Sequence, residues 1–203
     1  MVASVVEIWN LAMVRMGHDP IVDEDENGAA AEILRTVYPT QRDLMFENYD
    51  WDFGRRFGSL TDLNDEDELI DGWLYAYQWP QGNMVTFRGV ANPIANVSIR
   101  IPFDTMLRVS GDDRKIMTDL SAANGFWTER ITDVTRYTAA FSQALSYALQ
   151  AEVVGGISKD KADQLRSIQL HKNATERAAA AVANQSVPRT PEEQTPKPIA
   201  ARA

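Results

Sequence analysis

Apolar residues near the start of the chain recur at helical spacing. Val5, Ile8, Trp9, Ala12, Met13 and Met16 follow the i, i+3, i+4, i+7 rule and predict an amphipathic helix. Ser4, with Glu7 three residues on, has the form of a capping box, and Gly17 stands where such a helix ends. The linker HDPIVDEDENG is polar and acidic. A second stripe then starts near Gly28, with Ala30, Ile33, Leu34, Val37 and Tyr38, and Leu44 and Met45 continue it in phase. Pro39 lies inside this stripe, where it removes a backbone donor and crowds the preceding turn. The unbroken phase favours one kinked helix; two helices meeting at Pro39 are the alternative.

The period then changes from 3.6 to 2. Tyr49, Trp51, Phe53 and Phe57 fall on one face, with Asp50, Asp52, Arg56 and Leu60 on the other. Trp73, Tyr75, Tyr77 and Trp79 alternate in the same way. Val97, Ile99, Ile101 and Phe103 alternate with Ser98, Arg100 and Pro102, and MLRVSGDDRKIMT reads as a hairpin turning at Gly111-Asp112-Asp113. These runs predict a small, mostly antiparallel sheet. Helical spacing returns after Thr138: Phe141, Ala144, Leu145, Ala148, Leu149 and Val153 form a stripe that Gly155-Gly156 is expected to end. Ser158 is placed to cap a last helix reaching about Gln185, whose small residues in RAAAAVAN allow close helix approach. The closing stretch VPRTPEEQTPKPIAARA has four prolines and no period, and reads as an extended or disordered tail. The pattern therefore predicts an α+β chain. Residues 1–48 and 132–185 form a helical bundle, 49–131 a β-rich insertion, and 186–203 a proline-rich extended arm.

Composition narrows the chemistry. The 203 residues are 44% hydrophobic, enough to bury a real core, and carry a net charge of −9. Such a chain does not collect phosphate backbone over its surface at large, because that affinity comes from Lys and Arg. Cysteine is absent, which removes disulfides, thiolate nucleophiles and thiolate metal ligands. The first residues lack a basic start and do not read as a signal peptide, and no stretch is long and apolar enough to span a bilayer.

Several stretches invite a chemical reading. YDWDFGRRFGSL, residues 49–60, offers rings and two arginines, as a single-strand nucleic-acid platform would. Its alternation, and the repeat of that alternation at residues 73–79, point instead to a half-buried strand with its rings in the core. The acidic runs at 23–26 and 62–71 lack the spacing of a calcium loop and read as solvated loops. His18 and His171 are the two histidines, too few for a three-histidine zinc site. Nothing matches GxSxG, HExxH, GxGxxG or a P-loop, and GDDRK is a turn. No catalytic, metal-ligating or cofactor-binding residue is assigned.

The order of the pieces carries a resemblance. IWNLAMVRMG, YPTQRDLMFENYDW, DFGRRFGSLTDL, GWLYAYQWP, FWTERITD and FSQALSYALQAEVVGGIS together resemble the tail tubular protein A family, the head-to-tail adaptors of short-tailed bacteriophages. The likeness covers roughly residues 5 to 183 and is strongest at Trp51 and Phe53, at Tyr75–Pro80 and at Ile131-Thr132-Asp133. It departs after Pro80, where similar proteins usually continue with an acidic residue and an arginine and this chain has Gln81-Gly82-Asn83.

The resemblance implies a virion neck protein made in the host cytoplasm, a structural part and not an enzyme. It would form a homo-oligomeric ring, a dodecamer, between portal protein and tail nozzle, without a membrane. Double-stranded DNA would pass through its channel without sequence-specific binding. Under this reading the arm would contact the portal through Val187, Pro188, Arg189, Lys197, Ile199 and Arg202, with Arg189 and Lys197 pairing to portal carboxylates. Two other readings stay open. One is a carbohydrate- or peptidoglycan-degrading tail enzyme using Trp51 or Trp73 with carboxylates of the 62–71 loop. The other is a monomeric binding module with no virion role.

Overall fold

A computed structural model of the chain describes residues 4–63, 72–92, 101–108, 113–157 and 161–185. They form a mixed α+β fold of four helices and two three-stranded antiparallel sheets. Helix α1, Val5–Met16, starts with Ser4 accepting from the Glu7 amide and ends at Gly17, whose φ of 75° is the left-handed conformation that closes a helix. Helix α2, Ala29–Asn48, runs through Pro39 as one helix. Helices α3, Ala139–Ile157, and α4, Lys161–Ala183, follow the sheets, and α3 packs against the other three helices.

The first sheet has the order β1-β6-β3, with β1 at Arg55–Ser59, β3 at Met84–Ala91 and β6 at Asn124–Glu129. The second has the order β2-β5-β4, with β2 at Tyr75–Gln78, β4 at Asp104–Leu107 and β5 at Arg114–Thr118. The expected single sheet is therefore two. After β1 the chain crosses from one to the other: the Leu60 amide bonds to Ala123 in the first sheet, and Thr61 and Leu63 pair with Gln78 and Ala76 in the second. Strands β4 and β5 pair as the expected hairpin; Gly111 and Asp112 of its turn, and residues 97–100 of the expected strand before it, lie outside the described residues.

Tertiary packing adds to the sequence pattern in three places. The two-residue alternation does not extend over residues 49–57. A 3-10 turn at Asp52–Gly54 breaks the period, so Trp51 enters the helical core while Phe57 is 64% exposed, and Leu60, expected on the outer face, is buried. Helix α3 runs through Gly155 and Gly156 and ends at Ile157, and both glycines lie at helix contacts. A Cβ on Gly155 would lie 3.3 Å from Ser167 Oγ of α4, and one on Gly156 would lie 2.9 Å from Ile33 Cδ1 of α2. Their role is close helix approach, and Ser167 Oγ donates to the Ala151 carbonyl across the first contact at 2.9 Å. Strands β3 and β6 escape the alternation pattern because each holds a glycine under a ring: Gly89 faces Phe126, and Gly125 lies against Phe87. Ser158, expected to cap α4, lies outside the described residues.

Candidate interaction surfaces

The residues that looked most chemical are largely occupied by the fold. Trp51 is fully buried between α2 and α3, its ring 5.1 Å from that of Phe141, and its indole N–H donates to the Met45 carbonyl at 3.0 Å. It presents no face to a sugar or a base, and Trp73 is half-buried. Arg55 forms a two-bonded pair with Asp50, and Arg56 pairs with Glu129 at 2.8 Å. Both guanidiniums are thus neutralised within the chain, against a phosphate-binding reading.

Two further arginines join the helices to the sheets. Arg88 of β3 donates to the Phe46 and Tyr49 carbonyls at the end of α2 and to Thr128 Oγ1 of β6. A cation at these unpaired carbonyls is favoured by the helix dipole. Arg130, just beyond β6, reaches Asp43 of α2 at 2.8 Å, and Arg42 holds the same carboxylate at 2.8 Å. Beside this cluster lie the phenols of Tyr38 and Tyr137. Burial pushes both above the ordinary tyrosine range, and Tyr137 donates to the Ile131 carbonyl at 2.7 Å. The Gln81-Gly82-Asn83 turn is fixed to the same end of β6, since the Arg130 amide donates to the Asn83 carbonyl at 2.7 Å. The arrangement locks helices to sheets. Sequence pattern missed it because isolated arginines carry no period.

The acidic run at 23–26 is a tight exposed loop. Asp23 accepts from the Asp25 amide, Glu26 from the Val22 amide, and Arg35 holds the Glu24 carbonyl. Residues 64–71 of the second acidic run lie outside the described residues. His18 follows α1, and His171 of α4 stands 3.3 Å from Glu152 of α3, whose carboxylate also accepts from Gln41 of α2 at 2.7 Å. A cavity of about 190 Å³ lies over this polar contact, lined in part by Leu44, Asn48 and Thr175. Among the described residues no group of three His, Asp or Glu side chains could hold a metal ion, and no helix is long and apolar enough to cross a membrane.

The exposed aliphatic side chains include Val22, Leu74 and Leu107 singly and two helical pairs. On α1, Leu11 and Val14 face outward, Val14 at 64% exposure, beside a groove of about 390 Å³ that Glu7 and Asn10 also line. On α4, Leu165 and Ile168 are 64% and 66% exposed. Each pair is spaced i, i+3, so each forms one short apolar patch. The expected portal-contact residues Val187, Pro188, Arg189, Lys197, Ile199 and Arg202 lie outside the described residues. No protein-family model matches the chain, and no curated protein matches it.

Proposed function

We propose that this chain is a structural head-to-tail adaptor of a short-tailed bacteriophage, assembled as a ring between portal and tail nozzle. The helices form a bundle that builds the ring and meets the portal. The β-rich insertion projects toward the nozzle, and the arm at 186–203 reaches along the portal. The distributed resemblance supports this reading from the sequence.

The observation that carries it from the geometry is the pair of separate aliphatic patches, Leu11 with Val14 on α1 and Leu165 with Ile168 on α4. A ring is closed by a head-to-tail interface, which joins two different surfaces of the same subunit. A subunit built for that needs two such patches. The charge of −9 suits both stages of such a life. It opposes association of free subunits, and in a ring it lets a polyanion slide without sticking.

Cryo-electron microscopy of the protein mixed with its cognate portal tests the proposal. Symmetric ring density on the portal is expected. A portal that stays bare at saturating protein would overturn it. A chain ending at Gln185 tests the arm separately: it should melt as the full chain does and bind portal more weakly. Equal binding in low and high salt would remove the arm from the interface.

A further inference from the structure

Two arginines of this acidic chain converge on one aromatic ring. Arg15 of α1 and Arg177 of α4 both stack on the ring of Tyr147 of α3, their guanidinium carbons 4.1 and 4.6 Å from its centroid. Arg15 also donates to Ser146 Oγ at 2.6 Å. Cation–π stacking orients both groups. Arg42, Arg55, Arg56 and Arg130 each hold a carboxylate, whereas neither Arg15 nor Arg177 does among the described residues. Burial lowers the pKa of Arg15, Tyr147 acts against that, and the neighbouring Arg177 charge adds to the lowering. Two like charges are therefore held together by three helices with no carboxylate paired to them among the described residues.

The same chain exposes the complementary feature elsewhere. The loop between α1 and α2 presents Asp23, Glu24 and Asp25 to solvent, none of them in an ion pair among the described residues. Asp23 and Glu26 close this loop onto its own backbone, so the acids are carried on a shaped turn.

We infer that the Arg15–Tyr147–Arg177 site receives the acidic α1–α2 loop of a second copy of this chain. The inference rests on the ring reading and supplies its polar contact. Guanidinium groups match carboxylates in planar, two-bonded geometry, and the tyrosine stack fixes their planes in advance. The contact is heterologous, basic site of one copy to acidic loop of the next, so it propagates around a ring. Charged contacts of this kind select register and partner more than they add affinity. Arg15 lies next to the α1 patch, four residues on from Leu11, so the charged contact and that patch would act in one interface.

The test is a complementary charge exchange. One variant carries Arg15→Glu with Arg177→Glu; the other carries Asp23→Lys, Glu24→Lys and Asp25→Lys. Because charge holds free subunits apart, association is read as assembly on the cognate portal, by sedimentation velocity over a rising concentration series. Each variant alone should associate on the order of tenfold more weakly than the natural chain, and an equimolar mixture should recover it. Arg15 is half-buried, so Arg177→Glu alone, at an exposed position, serves as the second basic-site variant. It should show the same direction and the same recovery.

If the natural chain associates and both variants associate equally well alone, the loop is not the occupant and the ring reading stands. Loss without recovery in the mixture also overturns the inference, since it points to a partner other than a second copy. If the natural chain associates neither alone nor on its portal, the ring reading and this contact fall together.

Discussion

The core beneath the four helices and the core shared by the two sheets are filled in different ways. The helical core is large and mainly apolar. Trp9, Phe46, Trp51 and Phe141 interlock there with Leu34, Leu145 and Leu149, and Phe46 stacks on Phe141 at 4.9 Å. The sheet core is small. Leu60, Tyr77, Val90, Ile116 and Ala123 form its buried part, surrounded by half-buried rings such as Trp79, Phe87 and Phe103. Its central side chain is polar at one end: the Tyr77 hydroxyl donates to the Leu120 carbonyl at 2.7 Å and accepts from the Ala123 amide at 3.2 Å. Apolar area removed from water dominates stability, so the helical core carries most of it. The sheet core depends on a few specific fits. Its shape is more easily lost, and its attachment to the helices through Arg88 and Arg130 matters correspondingly more.

Substitutions can break this contrast at graded depth. The largest effect is expected at Trp51, fully buried where the helical core meets the start of β1. Trp51→Ala should cost about 3–5 kcal/mol by urea unfolding, with loss of the helical signal and the sheet signal together. Next is Gly125, where an added Cβ would come within 2.7 Å of Leu60 Cδ2 and 2.8 Å of Phe87 Cε2. Gly125→Ala should cost about 1–3 kcal/mol through overpacking. Amide exchange locates the damage: protection should fall in β3 and β6 while α3 keeps its own. Equal loss in α3 would mean that the two cores open as one unit.

Tyr77→Phe is subtler, because the ring stays and only the hydroxyl goes. The buried Ala123 amide then loses its acceptor, at a cost of about 1–2 kcal/mol. Thermal melting should show the shift, and the helical core should be unaffected in exchange. The smallest effect concerns pH at the hinge before α3. The Thr135 hydroxyl and amide both donate to Asp133, and these bonds hold its carboxyl below the ordinary aspartate range. A depressed folded pKa gives stability that is present above the unfolded value and lost as pH falls through the folded one. Asp133→Asn should therefore lower neutral stability slightly and leave acid stability nearly unchanged, which flattens the acid limb of a stability–pH curve.

Much of the helical half was legible from residues alone. The Ser4–Glu7 cap, the Gly17 stop and the Phe141–Val153 stripe are local patterns, and each reappears in the structure. Local backbone chemistry decides such features, because capping bonds and helical faces involve residues three or four apart. The unbroken phase across Pro39 likewise indicated a single helix, as found. The sheets were legible only in part, since their pairings join residues far apart in the chain. Nothing near Phe57 signals that a turn at Asp52–Gly54 rotates it outward. The site around Tyr147 left one trace, Arg15 at the margin of the α1 stripe, but its partner Arg177 lies on another helix.

The sequence by itself determined the helices, the cap and stop of α1, the class of fold and the acidic net charge, because each depends on composition or on near neighbours. Tertiary structure alone decided three things: that the sheet is two sheets, that Gly155 and Gly156 lie at helix contacts, and that Arg15 and Arg177 converge without a carboxylate among the described residues. Each turns on which distant side chain occupies the space next to it, and close packing settles that only once the whole chain is folded.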